Sequence, residues 1–353
     1  MSDLAASDAV SSVHMPTVWP VRIWLFLTAA LVFAMVIVGG ATRLTDSGLS
    51  ITEWLPILGA VPPLNEADWQ EAFAKYRQIP EYKLVNKGMS LEEFKFIYWW
   101  EWAHRFLGRF IGLAFFVPLV LFWLAGRIPG WLKPHLVILL VLGGMQGALG
   151  WYMVSSGLVD RVDVSQYRLA AHLSLAVAIF GYLFWLGLRL GDIRARRNVA
   201  EAVPALMVGA LVFVQIVLGA FVAGLRAGHG YNTWPLMDGS LVPQGLFSMS
   251  PAWINLFENA MTVQFLHRSF AYVVLGAGLW HASRVLREAP EGTVQLSAGA
   301  LGFTLFVQFG LGIWALVMSV PIALGLLHQA GAVVLLAAAL WNAHALMCAP
   351  ERG

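Results

Sequence analysis

Four of the nine histidines, His104, His172, His267 and His328, stand in strongly apolar stretches of this 353-residue chain. Ionisable side chains inside long apolar runs are costly and need a partner there. Neutral imidazole is a good iron ligand, and two facing helices can supply both axial positions of a haem. For any one of these residues a plain hydrogen bond across a helix interface serves equally well. Four at similar depth, two in each half of the chain, favour bis-histidine haem sites. Zinc fits less well, because few carboxylates lie nearby and Cys348, the single cysteine, is near the C-terminus. That lone cysteine also excludes an intrachain disulfide and a cysteine-based cluster. Arg105 and Arg109, Arg168 one turn before His172, and Arg268 adjoin the histidines. Snorkelling to headgroups is their simplest use; pairing with anionic haem propionates is the functional one.

The elements that must hold these residues are membrane helices. The chain is 59% hydrophobic and 12% charged, against about 25% charged in soluble domains. Its net charge of +2 points to no nucleic-acid partner. Sixteen Trp and 21 Phe suit interfacial belts or packing around a flat apolar cofactor. At about 20 apolar residues per span, eight spans are predicted: 20–41, 96–125, 134–155, 166–188, 204–225, 258–283, 294–318 and 321–346. Alternate connections are basic (Arg127 and Lys133; Arg189, Arg194, Arg196 and Arg197; Arg284 and Arg287), which places both termini in the cytoplasm. The others are neutral or acidic, with Asp160, Arg161 and Asp163 in one and Arg226 and Asp238 in another. The four histidines then lie about 7–14 Å from the outer ends of spans 2, 4, 6 and 8. Residues 1–19, with Asp3, Asp8 and His14, read as a polar cytoplasmic segment. The first span is read as retained, since no cleavage motif follows it. The outer segment 42–95 carries Pro56, Pro62, Pro63 and Pro80, which predicts short helices and turns on the membrane surface. Ser90 and Glu93 form a capping-box pattern that starts the second helix near residue 90.

An internal repeat divides the chain. FKFIYWWEWAHR (94–105) aligns with FENAMTVQFLHR (257–268), and QGALGWYMV (146–154) with QFGLGIWAL (308–316). Gly48 and Trp54 match Gly228 and Trp234; His172 matches His328. Four spans separate equivalents, so the repeat is parallel, and the fold expected is all-α: two pseudo-symmetric four-helix bundles. The halves are 20–190 and 204–347, joined by a cytoplasmic linker at 191–203 and followed by a tail at 348–353. The repeat makes Arg105 and Arg268 better candidates than Arg168 for propionates. An alternative stacks two haems between spans 6 and 8, on His267 with His281 and His328 with His344. The repeat opposes it, because Pro118 stands at the position equivalent to His281. Symmetry breaks at Glu101, one turn before His104, whose counterpart is Gln264. A carboxylate beside one haem and an amide beside the other suggest proton chemistry in the first half only. The plainer use of Glu101 is a hydrogen bond to a neighbouring helix or a pair with Arg105.

In combination, GGATRLTDSGLSITEW (39–54), EWAHR (101–105), YNTWPLMDG (231–239), FLHR (265–268) and LLHQAG (326–331) resemble the haem A synthase family over nearly the whole chain. The resemblance implies an oxidoreductase of the bacterial inner membrane. It oxidises the C8 methyl of haem O to a formyl group, through hydroxylated haem, to give haem A for terminal oxidases. It implies that His104 and His172 flank the substrate haem, that His267 and His328 hold a resident haem b, and that Glu101 is the acidic residue of turnover. Without cysteines in the first outer loop the chain is similar to the cysteine-free, proteobacterial and mitochondrial branch. Implied partners are a haem O synthase, an electron donor such as a ferredoxin-like protein or quinol, terminal-oxidase assembly factors and membrane lipid; a homo-oligomer is allowed. A non-catalytic b-type cytochrome is the alternative; a two-half transporter is less favoured, because no broken helices stand out.

Overall fold

A computed structural model describes residues 18–55, 58–159, 161–192, 199–289 and 291–349. The polar N-terminal segment, Pro56, Asp160, Arg194, Arg196, Arg197 and most of the expected tail lie outside these residues. Helices account for all regular structure described apart from one isolated two-residue bridge. In chain order they are α1 (Trp19–Leu44), α2 (Glu66–Tyr76), α3 (Pro80–Leu84), α4 (Leu91–Leu124), α5 (Lys133–Ser155), α6 (Gln166–Gly191), α7 (Val199–Gly224), a single turn α8 (Asn255–Glu258), α9 (Ala260–Glu288), α10 (Thr293–Val317) and α11 (Ile322–Met347).

Seven of the described helices, α1, α4, α5, α6, α7, α10 and α11, are long and apolar enough to cross a membrane. Eight spans were expected. The difference is α9, where 258–283 was predicted to cross. Its 29 residues reach about 44 Å at 1.5 Å per residue. It carries Arg268, Arg284, Arg287 and Glu288 beside His267 and His281, and this polar load, not its length, separates it from the other seven.

Helix contacts run in parallel along the chain. α1 packs on α4 and α6, and α5 on α4 and α6; α7 packs on α9 and α11, and α10 on α9 and α11. The first four meet the second four through α1–α11, α6–α7 and α6–α11. One apolar core joins them, from Leu25, Val32 and Val36 through Val177 and Leu183 to Val212 and Leu336. Outer helices keep large apolar side chains exposed, such as Phe110 and Leu113 on α4 and Phe303 and Phe306 on α10, as expected where lipid is the solvent.

The segment expected on the outer face, 42–95, is more than a set of surface turns. Asn65 accepts from the Asp68 amide to start α2, and Ser90 and Glu93 complete a reciprocal capping box that starts α4. α4 therefore begins well before its apolar stretch, and α2 packs on that early part. Trp69, Phe73, Tyr76, Phe94 and Tyr98 form a separate aromatic core there. Burial of these rings gives the segment a packing reason that its prolines alone did not reveal. Within it Glu81 is buried, and the Tyr76 hydroxyl donates to its Oε2 at 3.1 Å. Burial pushes the Glu81 carboxyl up to about 8 and the Tyr76 phenol above its ordinary value.

Candidate active site

His104 sits on α4, His172 on α6, His267 on α9 and His328 on α11. Each imidazole faces a glycine on the neighbouring helix. A Cβ at Gly39 would lie 3.2 Å from His104 Nε2; at Gly150, 3.0 Å from His172 Cε1; at Gly219, 3.1 Å from His267 Cε1; at Gly312, 2.9 Å from His328 Cε1. A Cβ at Gly312 would clash and the other three would be tightly crowded, so these glycines let each imidazole lie close against the neighbouring helix.

Three glutamines reach the same imidazoles. Gln146 Nε2 donates to the His172 main-chain carbonyl at 3.1 Å, Gln215 Nε2 to that of His267 at 2.9 Å, and Gln308 Nε2 to that of His328 at 2.8 Å. The same amides lie 3.4, 3.1 and 3.1 Å from a ring nitrogen. Oε1 of each glutamine is buried without a hydrogen-bond partner. As placed, the amides present Nε2 to the ring; turned end for end, each Oε1 would accept the N–H that an iron-bound imidazole keeps on its other nitrogen.

In the second half a cavity of about 580 Å³ opens between the helices, lined by His267, His328, Gly219, Gly312, Gln264 and Arg268. That size lies in the range of cofactor sites. The centroids of His267 and His328 are 6.4 Å apart. Two metal–nitrogen bonds of about 2 Å each plus two ring radii nearly fill that interval. The donor set, the open space and the orphaned acceptors all fit a bis-histidine haem.

Glu101 is 2% exposed. Its Oε2 accepts from Ser50 Oγ at 2.8 Å and from the Ile51 amide at 2.6 Å; its Oε1 accepts from Arg105 Nε at 3.0 Å. Arg105 also donates to the carbonyls of Ile51 and Glu53. The expected pairing of Glu101 with Arg105 is thus present, and most of Arg105's donors are directed at Glu101 and the loop after α1. Gln264 is equally buried, and its Nε2 donates to the Ala227 carbonyl at 2.9 Å. Arg268 donates through Nη2 to carbonyls of Thr233, Pro235 and Leu236, while its buried Nη1 has no partner and is the donor a propionate could use. Arg168 stacks on the Tyr152 ring at 3.6 Å and donates to carbonyl and hydroxyl groups at the end of α5. Arg109 donates to the Leu55 carbonyl at 2.9 Å.

His281 and His344 have other surroundings. His281 meets Asn342 Oδ1 at 2.9 Å, and Asn342 donates to Ser297 Oγ at 3.0 Å, a buried polar relay. His344 lies 3.8 Å from Asp192 and 3.7 Å from Cys348. A second tier of haems on these two residues gains nothing from this geometry.

The sequence profile of the COX15-CtaA family, described as cytochrome oxidase assembly protein, matches residues 22–340. The chain belongs to this family. Similar full-length members include the protein named "Heme A synthase" from Parvibaculum lavamentivorans, 58% identical over 328 residues, covering 92% of this chain and 93% of that one. Another of the same name, from a Chelativorans species, is 56% identical over 326 residues, covering 92% and 90%. The Agrobacterium fabrum protein, also so named, is 55% identical over 323 residues, covering 89% and 87%. Within this COX15-CtaA member, the four histidines and Glu101 were legible as candidates. The glutamines and their glycines give a weaker signal in sequence. Their signal is a repeated Q-x-x-x-G, at Gln146–Gly150, Gln215–Gly219 and Gln308–Gly312, each on the helix before or beside its histidine.

Proposed function

We propose that this multi-pass membrane protein is a haem A synthase that converts haem O to haem A in the bacterial inner membrane. What carries the reading is the pair of histidine sites with one chemical difference between them, Glu101 against Gln264, in a chain 58% identical to a protein of that name. The eight-helix, two-bundle arrangement with α9 as the sixth span, the half boundaries given above and cytoplasmic termini belong to the same reading. The first half takes haem O between His104 and His172. The second holds haem b between His267 and His328, where the cavity and the free Nη1 of Arg268 support it.

The formal change turns a methyl and one water into a formyl group, releasing four protons and four electrons. It passes through alcohol and geminal diol stages on the substrate, and the diol returns one water. The electrons go to an oxidant such as dioxygen or an external acceptor; a haem held by His267 and His328 would supply one-electron transfer. Glu101 is the group placed to take protons. Ser50, the Ile51 amide and Arg105 hold its carboxylate one turn from His104, and that position in the other half carries an amide that cannot accept a proton at neutral pH. A non-catalytic b-type cytochrome needs no such difference. Haem O synthase as supplier and oxidase assembly factors as recipients complete the reading; a ferredoxin-like or quinol donor enters where dioxygen supplies each hydroxyl, giving the two electrons and two protons that carry its second oxygen atom to water.

The test is expression of the full chain with a haem O synthase in cells that make no haem A, followed by mass analysis of extracted haems. Haem A together with haem b is expected. Haem b with unconverted haem O alone would leave the electron-carrier reading in its place.

A further inference from the structure

The helix segments that face His104 and His267 align without a gap: LVFAMVIVGG (31–40) and LVFVQIVLGA (211–220), an offset of 180. Gly39 matches Gly219, and both face a histidine ring. Four residues earlier the match fails: Met35 stands where Gln215 stands. The other two sites each have the glutamine, Gln146 and Gln308, four residues before the glycine. Met35 lies on the His104 side, since a Cβ at Gly108, one turn along α4 from His104, would meet its Cε at 3.4 Å. Among the described residues His172, His267 and His328 each have a glutamine amide against ring and main chain, and His104 has no side-chain hydrogen bond.

A side-chain partner behind a metal-bound imidazole orients the ring and tunes it as a ligand, and its loss typically lowers metal affinity about 10–100-fold. A thioether has no N–H to give the His main chain and is only a weak acceptor for the ring, so Met35 cannot replace the amide. Resting on the haem assignment above, we propose that Met35 makes His104 the detachable axial ligand of the reacting haem, while Gln146, Gln215 and Gln308 fasten the other three histidines. The reacting haem then has one fixed face, on His172, and one face that can open on the side of Glu101. The resident haem is fastened on both faces, as suits electron transfer without ligand exchange.

Carbon monoxide, which binds only where a haem iron gives up a ligand, is the probe, used on reduced full-chain protein purified from cells that make haem O. In the wild type it is expected to combine with the haem of the first half and not with haem b. Met35→Gln is expected to slow that combination by about tenfold or more, with both haems retained. Gln215→Met is expected to make haem b reactive, which tests the idea even if Met35→Gln fails to assemble. Equal rates in wild type and Met35→Gln, or an inert haem b in Gln215→Met, would overturn the inference. His104→Ala separates this from failure of the site itself: unchanged low-spin spectra of both haems in that variant would remove His104 as a ligand altogether.

Discussion

At the scale of single residues, Glu101 is held on both carboxylate oxygens, by Ser50 and the Ile51 amide on one and Arg105 on the other. Glu101→Gln keeps the shape and removes the proton acceptor. Its haem A yield per protein is expected to fall about 100-fold or more, with haem O accumulating while haem b content stays normal; an unchanged yield would take Glu101 out of the chemistry. The glycines make a different prediction. Gly312→Val places atoms within about 3 Å of His328, so haem b is expected to be lost from otherwise intact protein, as read by the pyridine haemochrome of the purified variant. The histidines and Glu101 could be found in sequence because ionisable side chains in apolar runs stand out. Gln146, Gln215 and Gln308 could not, since an uncharged amide in such a run has many ordinary uses and only the observed contacts tie it to a ring.

At the scale of elements, the helix pattern was legible wherever hydropathy and length agree, and α4 begins at the capping box that Ser90 and Glu93 announce. α9 departs from the apolar pattern because it brings Arg268 and His267 to one site. The outer segment was legible as short helices but not as a packed unit, because the partners of Trp69, Phe73 and Tyr76 lie across α4. Glu81 gives that unit a pH dependence. Its carboxyl is raised by burial from 4.5 to about 8, so the folded segment binds a proton that the unfolded chain has released. Its stabilisation is full below about pH 4.5 and is lost as pH rises toward about 8. Proteolysis of the outer segment is therefore expected to speed up across that range in the wild type and to change little in Glu81→Gln; the same pH response in both would contradict the assignment.

At the scale of the whole molecule, the helices on either side of residues 192–199 share a core along α1, α6, α7 and α11, and a charged group lies at the end of that seam where α1 and α7 finish. Arg226 reaches Asp46 at 2.7 Å and Asp163 at 2.9 Å, and Arg43 reaches Asp46 at 3.3 Å. Asp46 and Arg226 are 180 residues apart, the offset that relates α1 to α7, and both have positive φ. The individual charges were legible, but their meeting was not, since it depends on how the halves face each other. Half-exposed pairs of this kind contribute roughly 0–1 kcal/mol each. Arg226→Ala is expected to lower thermal stability only slightly in detergent and to leave both haems bound; loss of either haem would show that the seam positions the sites. The separation of tasks between the halves is most directly tested by the haem content of two variants, His172→Ala and His267→Ala, made with haem O synthase present. His172→Ala is predicted to lose haem O and haem A while retaining haem b, and His267→Ala to lose haem b. Loss of haem b from His172→Ala with haem O retained would contradict the division.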